Sequence, residues 1–398
     1  MKAVNSSRVN LTYLLSLFIS LYLLSSMISI SVSQIFLAAA FLIWLFLLIL
    51  RRQKIRFPVF FWPLLVYAFL SLVSSFRSVN PEISLKDSRE LLLFLVVPIA
   101  YMGLQEEKSL KRANSALLVS GYASILYSIF YYFAKASPGE RVMGFVGHYM
   151  TQAGLLMIVL SLGFGMAFFN RDRARFLWVT MIPLGLFALT LTLTRSAWIG
   201  IVAAVSTVLI LYRPISVLIL PIAVGLFFIL SPDIVQKRVI SIFGLKSYSN
   251  QQRIEYLKAG WEIIKEYPLF GTGPDTVDLV FQNPKYRLTA DAKKNVHLHN
   301  NIVQICAERG VFALTAWLMF MMTAFVSLVR MLKNRDPALF SLAAGTTAAL
   351  LALALAGLFE YNFGDSEITT LFLYLTTVPF TMKRILQNKI LPQYPKFE

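Results

Sequence analysis

The sequence has little charge, one cysteine and few histidines. Charged residues make up 14% of the 398 residues, against roughly a quarter in soluble proteins. The single cysteine, Cys306, excludes a disulfide within the chain and leaves the redox compartment open. Only three histidines are present to act as acid–base groups or metal ligands. The scarcity of charge argues against an ordinary soluble domain.

Most of the residues are hydrophobic instead. Hydrophobic residues make up 57%, and the mean hydropathy is +0.67. An apolar stretch of about 20 residues is long enough to cross a bilayer as a helix. We therefore predict an all-α polytopic membrane protein with about 12 transmembrane helices, counted by that length criterion. The candidate stretches are 9–28, 32–50, 57–76, 90–104, 113–134, 149–169, 176–194, 197–212, 214–230, 310–330, 337–359 and 367–382.

Basic residues are concentrated on alternate connections between these stretches. They occur in RRQKIR (51–56), KSLKR (108–112), NRDRAR (170–175), RMLKNR (330–335) and the pair at 383–384, which with both termini hold more than half of the 37 Lys and Arg residues. Because positively charged loops stay in the cytoplasm, both termini are predicted to be cytoplasmic. The net charge of +17 is therefore attributed to topology. Its scatter along the chain disfavours a nucleic-acid-binding face, and the expected contact is with membrane lipid.

One long polar segment, residues 231–309, separates the ninth and tenth predicted helices. It divides the chain into 1–230 with helices one to nine, the outer loop 231–309, and 310–398 with the last three helices and a cytoplasmic tail. Within the loop, QQRIEYLKAGWEIIKEYP (251–268) places Ile254, Leu257, Trp261 and Ile264 at helix spacing. The following PLFGTGPD (268–275) predicts a turn. We expect the loop to contain short helices and to fold back over the bundle.

An arginine stands between two predicted helices on the outer side, in LTLTRSAWIG (191–200). Arg195 either snorkels to the interface beside a belt tryptophan or offers bidentate hydrogen bonds to a phosphate. The sequence leaves both interpretations open. Several outward cations converging on one cleft would suit a lipid diphosphate. The other candidates are Arg253, Arg141, Arg77, Lys86 and Arg89.

Two of the three histidines lie in KKNVHLHNNIVQICAERG (293–310). A metal site is disfavoured, because no cysteine or carboxylate cluster with ligand spacing lies beside them. A polar loop and a general base remain open, and histidine is the usual residue for taking a proton near neutral pH. His299 is preferred over His297, since the asparagines after it could cap the next helix. The carboxylates that could orient the base or bind sugar hydroxyls are Glu308, Glu360, Asp365 and Glu367.

Three segments, in this order on a polytopic chain, resemble the O-antigen ligase family: TLTRSAWIG, QQRIEYLKAGWEIIKEYPLFGTGP and HLHNNIVQICAERGVFAL. That family also includes O-antigen polymerases and O-linked protein oligosaccharyltransferases. ERVMGFVGHYMTQAG (140–154) and FEYNFGDSEITTLFLYL (359–375) are similar more loosely, so the resemblance covers roughly residues 140–380. No segment is specific alone; the ordered set is the evidence.

The resemblance implies a GT-C-like glycosyltransferase bundle with one long periplasmic loop in the bacterial inner membrane. It implies transfer of a glycan from undecaprenyl diphosphate to a hydroxyl of lipid A–core, with inversion and without metal or cofactor. The implied base is His299, and the implied diphosphate ligands are Arg195 and Arg253, assisted by Arg141. Supporting roles are considered for His297, Arg77, Glu360 and Asp365. His148 stands at a position to which the resemblance assigns no role.

Three alternatives remain at this point. An O-antigen polymerase uses the same chemistry on another lipid-linked glycan, and the compact chain with one dominant outer loop favours the ligase. A protein O-oligosaccharyltransferase is less favoured, because the chain ends soon after the last predicted helix. A transporter of lipid-linked sugars predicts charged residues within helices near the membrane midplane. Here the polar residues gather at one predicted outer face, which favours an interfacial enzyme.

Overall fold

The chain is helical throughout its described part. The computed structural model describes residues 2–50, 55–137, 139–244 and 247–390, and no strand occurs within these ranges. Most of the basic connection RRQKIR (51–56) and the predicted cytoplasmic tail after residue 390 lie outside the described residues.

Most helices follow one another with short connections, and the longer ones include those between residues 134 and 149 and between residues 281 and 301. They are α1 (Lys2–Ser25), α2 (Ile30–Ile49), α3 (Phe61–Phe76), α4 (Pro81–Asp87), α5 (Val96–Gly103), α6 (Glu107–Ala134), α7 (Tyr149–Phe169), α8 (Arg175–Leu191), α9 (Arg195–Tyr212), α10 (Ile219–Leu230), α11 (Asp233–Phe243), α12 (Tyr248–Glu266), α13 (Val277–Phe281), α14 (Asn301–Met331), α15 (Pro337–Ala356) and α16 (Ser366–Ile390). Short 3-10 helices span Ser88–Leu95, Pro214–Leu218, Pro284–Tyr286, Ala292–Lys294 and Asn362–Gly364.

Within the described residues, 6 helices are long and apolar enough to cross a membrane, namely α2, α6, α7, α9, α14 and α15. Shorter apolar helices cover Leu11–Ser25, Phe61–Phe76, Arg175–Leu191 and Pro214–Leu230. The prediction of a polytopic α-helical membrane protein is confirmed. The predicted count of about 12 crossings, based on stretch length, is not established by these helices.

The predicted helix 90–104 differs most from the structure. It consists of the 3-10 helix Ser88–Leu95 followed by the short α5. Pro98 explains the break, because its nitrogen has no hydrogen to donate to the carbonyl of Phe94 four residues earlier. Proline is tolerated in the first turn of a helix, where such donors are unsatisfied anyway, and α5 starts at Val96.

Helices α7 and α15 form the centre of the bundle. Their apolar windows are 83% and 72% buried, against 28% for α2 at the periphery. The two helices approach backbone to backbone, since a Cβ added to Gly165 would lie 2.4 Å from the Cα of Gly345. Small residues permit such close approach in membrane bundles, where van der Waals packing is a main source of helix association.

Residues 231–309 build a second, smaller core beside the bundle. Its buried members include Tyr256, Ile263, Phe281 and Leu298. This core differs from the apolar face that helix spacing predicts for α12. Of the four residues predicted to form that face, only Ile264 packs against the small core. Ile254, Leu257 and Trp261 are 40%, 41% and 59% exposed. The core residues of α12 are instead offset along the helix, at Tyr256, Ala259 and Ile263.

Helix α14 is broken at Gly310, where the predicted loop ends. This glycine has φ 78 and ψ 175, a conformation that glycine adopts readily. The turn 268–275 lies against the break: the amide of Gly273 donates to the carbonyl of Glu308 (2.8 Å), and that of Val311 donates to Pro268 (2.9 Å). These bonds position the first turns of α14, and the histidines before them, over one end of the bundle. We call this the histidine end.

Candidate active site

His299 occupies a constrained position immediately before α14. Asn300 is the N-cap of this helix, and its side chain accepts from the amide of Val303 and donates to the carbonyl of Leu358. The preceding His299 has φ 51, in the left-handed region that few non-glycine residues adopt. Such strain costs of order 1–3 kcal/mol and persists only where surrounding contacts impose it. The Asn300 cap thus fixes the backbone that carries the imidazole, as expected. Asn301 does not cap the helix and instead donates to Asn362 (2.7 Å).

Glu360 is the carboxylate that contacts His299. The Nδ1 of His299 lies 3.0 Å from Oε1 of Glu360. Burial by itself would raise the pKa of Glu360, but His299, Arg253 and His297 outweigh it and hold this pKa below its ordinary value. An ionised carboxylate only accepts hydrogen bonds. Nδ1 therefore carries a proton in the neutral ring, and Nε2 is left with the lone pair that a general base needs.

The other three carboxylates considered with Glu360 lie elsewhere. Glu308 pairs with Arg309 (2.5 Å), and Glu367 accepts from Ser366 (2.9 Å). Asp365 accepts from the hydroxyl of Thr151 (2.5 Å). None of the three contacts His299 within the described residues.

Arg195 is buried at the first turn of α9 and is only 4% exposed. Its guanidinium donates to the carbonyl of Ser241 (2.6 Å) and to the hydroxyl of Ser249 (2.7 Å). These bonds tie the start of α9 to α11 and to α12. A side chain buried in this way does not snorkel into water. The unsatisfied amides at the N-terminus of α9 add to the positive field.

Arg253, Arg238 and Arg141 extend the positive charge around Arg195. Arg238, on α11, donates to the carbonyl of Leu193 (3.0 Å). Burial, then Arg141 and Arg253, lower the pKa of Arg238 to about 10. Burial also lowers the pKa of Arg253. The charge of Glu360 opposes this lowering, and the charge of Arg141 adds to it. The four arginines are therefore mutually repelling neighbours, and none forms an ion pair with a carboxylate in the part of the chain that the structure describes.

Arg195, Arg253 and His299 share one space, which we call the cationic cavity. It has a volume of about 220 Å³. Asn250 adds a polar group, and Leu257 and Phe359 are among its apolar walls. Two of the exposed apolar residues of α12, Ile254 and Leu257, therefore line this cavity. The cavity therefore combines guanidinium groups that can bind an anion, an imidazole that can act as a base, and an apolar wall.

Two further cavities adjoin, both lined by His297 and Tyr361. The central cavity has about 230 Å³ and is lined by His148, Thr194, Glu360 and Asp365 as well. The acidic cavity has about 270 Å³ and contains Asp87, Glu90, Asp275, Glu308 and Arg309. His297 separates these two cavities, whereas His299 lines the cationic cavity.

His297 differs from His299 in its contacts. Its ring packs edge-on against Tyr361, with centroids 5.3 Å apart. Its Nδ1 is buried and has no hydrogen-bond partner among the described residues. Burial, more than the charge of nearby groups, lowers the pKa of His297, so the charged form of the ring is disfavoured. His297 is therefore suited to hydrogen bonding with an uncharged group.

Arg77 and Arg141 have different positions relative to the cavities. Arg77 stacks on Phe270, with its guanidinium carbon 5.0 Å from the ring centroid, and lines none of the three. Arg141 stacks on Tyr149 at 4.3 Å and acts on the other arginines through its charge. The structure thus assembles Arg195, Arg253 and Arg141 at the histidine end and leaves Arg77 aside.

Two features of this end are not predicted by the sequence. Arg238, in SPDIVQKR (231–238), is not among the candidate anion-binding residues, although its position on a short helix after an apolar stretch is a signal for that role. The ion-pair network around Arg309 gave no local signal, since its partners Asp87 and Tyr361 are far away in sequence. No group of three or more potential metal-ligating side chains is assembled within the described residues.

Comparison with protein families gives a match for the middle of the chain. A family model described as O-antigen ligase covers residues 180–318, which contain Arg195, Arg238, Arg253 and both loop histidines. Arg141, Glu360 and Asp365 lie outside the matched residues. No curated protein matches the chain. The family match confirms the resemblance seen in the sequence.

Proposed function

We propose, from the premise that residues 180–318 belong to the O-antigen ligase family, that this membrane protein is a glycosyltransferase acting on a lipid-linked glycan. The donor is a glycan on undecaprenyl diphosphate, and the acceptor is a sugar hydroxyl of lipid A–core. The histidine end faces the periplasm from the bacterial inner membrane, with both termini cytoplasmic. About 12 crossings in a GT-C-like bundle, inferred from stretch length, complete the proposed architecture.

The observation that carries this proposal is the group of four arginines without carboxylate partners beside a carboxylate-supported histidine. Repulsion among neighbouring cations costs free energy unless an anion lies between them. A diphosphate supplies that anion, and guanidinium groups bind its oxygens through paired hydrogen bonds. Arg195 and Arg253 line the cationic cavity directly. Arg238 and Arg141 strengthen the field from outside it.

The proposed reaction uses His299 as general base and Glu360 as its positioning residue. The acceptor hydroxyl gives its proton to Nε2 of His299, and its oxygen forms a bond to the anomeric carbon of the donor sugar. The bond between that carbon and the diphosphate oxygen breaks, and the electron pair leaves with undecaprenyl diphosphate. Attack opposite to the leaving group inverts the anomeric centre. The arginines stabilise the charge that develops on the diphosphate.

The first experiment compares wild type with His299→Ala in cells that lack their own ligase and contain a matching donor. A gel of the lipopolysaccharide should show a ladder of capped lipid A–core with wild type and none with the variant. Equal amounts of both proteins in the membrane serve as the control. Normal transfer by the variant would remove His299 as the base.

The same experiment distinguishes the polymerase alternative. If no ladder forms with wild type while longer glycan accumulates on undecaprenyl diphosphate, the acceptor is another lipid-linked glycan. A matched His297→Ala variant tests the neighbouring imidazole. We expect it to retain part of the activity, because His297 does not line the cavity that contains Arg195 and Arg253.

A further inference from the structure

We propose that the central cavity is the binding site for an uncharged, hydroxyl-rich sugar of the acceptor. This inference rests on the proposed function and adds a second substrate site to it. The cavity has about 230 Å³, the liquid volume of several water molecules at about 30 Å³ each. It lies across Glu360 from His299, so it adjoins the proposed reaction centre without overlapping the arginines.

Two residues that line the central cavity, Glu360 and His297, each have one buried side-chain atom without a hydrogen-bond partner among the described residues. These atoms are Oε2 of Glu360 and Nδ1 of His297. Glu360 contacts His299 through its other oxygen, and the ring of His297 packs on Tyr361, the residue after Glu360. Buried polar atoms without partners are costly, so a ligand group that satisfies both is favoured. A hydroxyl does so, because it donates to the carboxylate and also pairs with the imidazole nitrogen.

The remaining polar groups also suit hydroxyls. Asp365 adds a second carboxyl to the wall, and the hydroxyl of Thr151 holds it in place. His148 lies 3.2 Å from the same Thr151 oxygen, so it belongs to this polar side although the sequence assigned it no role. Thr194 supplies a further hydroxyl to the wall.

The composition of the wall also decides against a charged ligand. Among the described residues, no Lys or Arg lines the central cavity, whereas two arginines line the cationic cavity. The carboxylate of Glu360 would repel a phosphate. Met150, Met157 and Ile368 add apolar groups to the wall, and Tyr361 contributes an aromatic ring. A sugar ring, which combines hydroxyls with an apolar face, matches this mixture of polar and apolar groups.

The position of the cavity favours the acceptor sugar over the donor sugar. Glu360 contacts His299 through one carboxylate oxygen, while its other oxygen has no partner among the described residues and the residue also lines the central cavity. Ser196 lines both the central and the cationic cavities, so the two spaces meet beside the first turn of α9. If the diphosphate and its attached sugar fill the cationic cavity, the attacking sugar must approach from the adjoining space.

The test uses the full-length protein in detergent and the deacylated core oligosaccharide as the probe. Saturation-transfer NMR without donor should detect binding to wild type. His297→Leu removes the unpartnered nitrogen, and Ala197→Val fills part of the cavity, since Ala197 is a buried wall residue. Each should weaken binding about tenfold or more. Glu90→Gln, a change in the acidic cavity alone, is the matched control and should leave binding unchanged.

Kinetics with both substrates separate the acceptor from the donor. We expect His297→Leu and Ala197→Val to raise the KM for the acceptor while the KM for the donor changes less than about twofold. A rise in the donor KM instead would assign the cavity to the donor sugar and overturn the proposal. Wild-type binding by both variants, or loss of binding in Glu90→Gln, would also overturn it. Melting temperatures of the purified variants exclude misfolding.

The binding arm also separates this inference from the proposed function. His299→Ala should lose transfer and still bind the core oligosaccharide, because its side chain does not line the central cavity. If His299→Ala transfers normally, the proposed base is wrong while the sugar site stands on its binding data. If wild type transfers but does not bind the core oligosaccharide, the sugar site fails alone.

Discussion

The Nδ1 of His299 lies 3.0 Å from Oε1 of Glu360, a carboxylate 61 residues further along the chain. Because this carboxylate is ionised, it orients the ring and assigns the proton to Nδ1. The free Nε2 lies on a ring that lines the cationic cavity with Arg195 and Arg253. This pair joins two distant segments: the loop before α14 supplies the proposed base, and the segment after α15 supplies the carboxylate that contacts it.

Replacing Glu360 with glutamine should impair catalysis more than binding. The amide can donate as well as accept, so it no longer selects the tautomer with a free Nε2. We expect kcat to fall by about tenfold or more, because the ring is held less often in the tautomer with a free Nε2. The donor KM should change little. Glu367→Gln is the control, since Glu367 has no contact with His299 among the described residues. A wild-type kcat in Glu360→Gln would contradict the positioning role.

Arg238→Ala tests a residue that the sequence did not single out. Loss of one of the four converging charges should raise the KM for the donor about tenfold, the effect of roughly 1.4 kcal/mol. The acceptor KM should stay near that of wild type. Arg77→Ala provides the comparison, because Arg77 stacks on Phe270 and lines none of the cavities. Equal effects of the two substitutions would show that only the overall charge matters.

The pH dependence of stability should reveal Asp365. Burial, with Glu367 acting in the same direction, raises the pKa of Asp365 from 3.8 to about 7. A raised pKa means that the folded protein favours the protonated carboxyl. Its stabilising contribution is therefore complete below pH 3.8 and is lost as the pH rises to about 7.

The measurement is the melting temperature in detergent between pH 5 and 7.5, compared with Asp365→Asn. Wild type should lose at most about 1.4 kcal/mol per pH unit relative to the variant within this window. The difference should level off above about pH 7, the raised pKa of this carboxyl. Parallel curves for the two proteins would show that Asp365 does not titrate there.

Gly310→Ala should destabilise the histidine end. A Cβ at this position would lie 2.0 Å from the carbonyl oxygen of Leu269, and the φ of 78 is unfavourable for alanine. Backbone strain alone costs of order 1–3 kcal/mol, so a lower melting temperature and reduced activity are expected. Gly225→Ala is the matched control: nothing lies within 4 Å of its added Cβ, and alanine stabilises a helix interior by roughly 0.5–1 kcal/mol. Equal melting temperatures for both would contradict the close packing at Gly310.

Much of this organisation is already contained in local sequence. The apolar stretches predict the helices because crossing hydrocarbon requires about 20 apolar residues in succession. The Gly-Pro-rich turn at 268–275 and the Asn300 cap depend on residues only a few positions apart. Arg195, Arg253 and His299 were identifiable as candidates because charge is rare in this chain, and rare polar groups beside apolar helices carry information.

The tertiary structure alone decided which groups meet. Four carboxylates were equivalent in sequence, and only packing of the segment after α15 against the start of α14 places Glu360 on His299. Packing between distant segments also joins Arg309 to Asp87, 222 residues away. It likewise offsets the buried face of α12 from the face that helix spacing predicts. Helix periodicity is a property of neighbouring residues, whereas hydrogen-bond partners and cavities depend on how distant helices pack. His299 could therefore be named as a candidate from the sequence, but its carboxylate partner and the cavities around it could not.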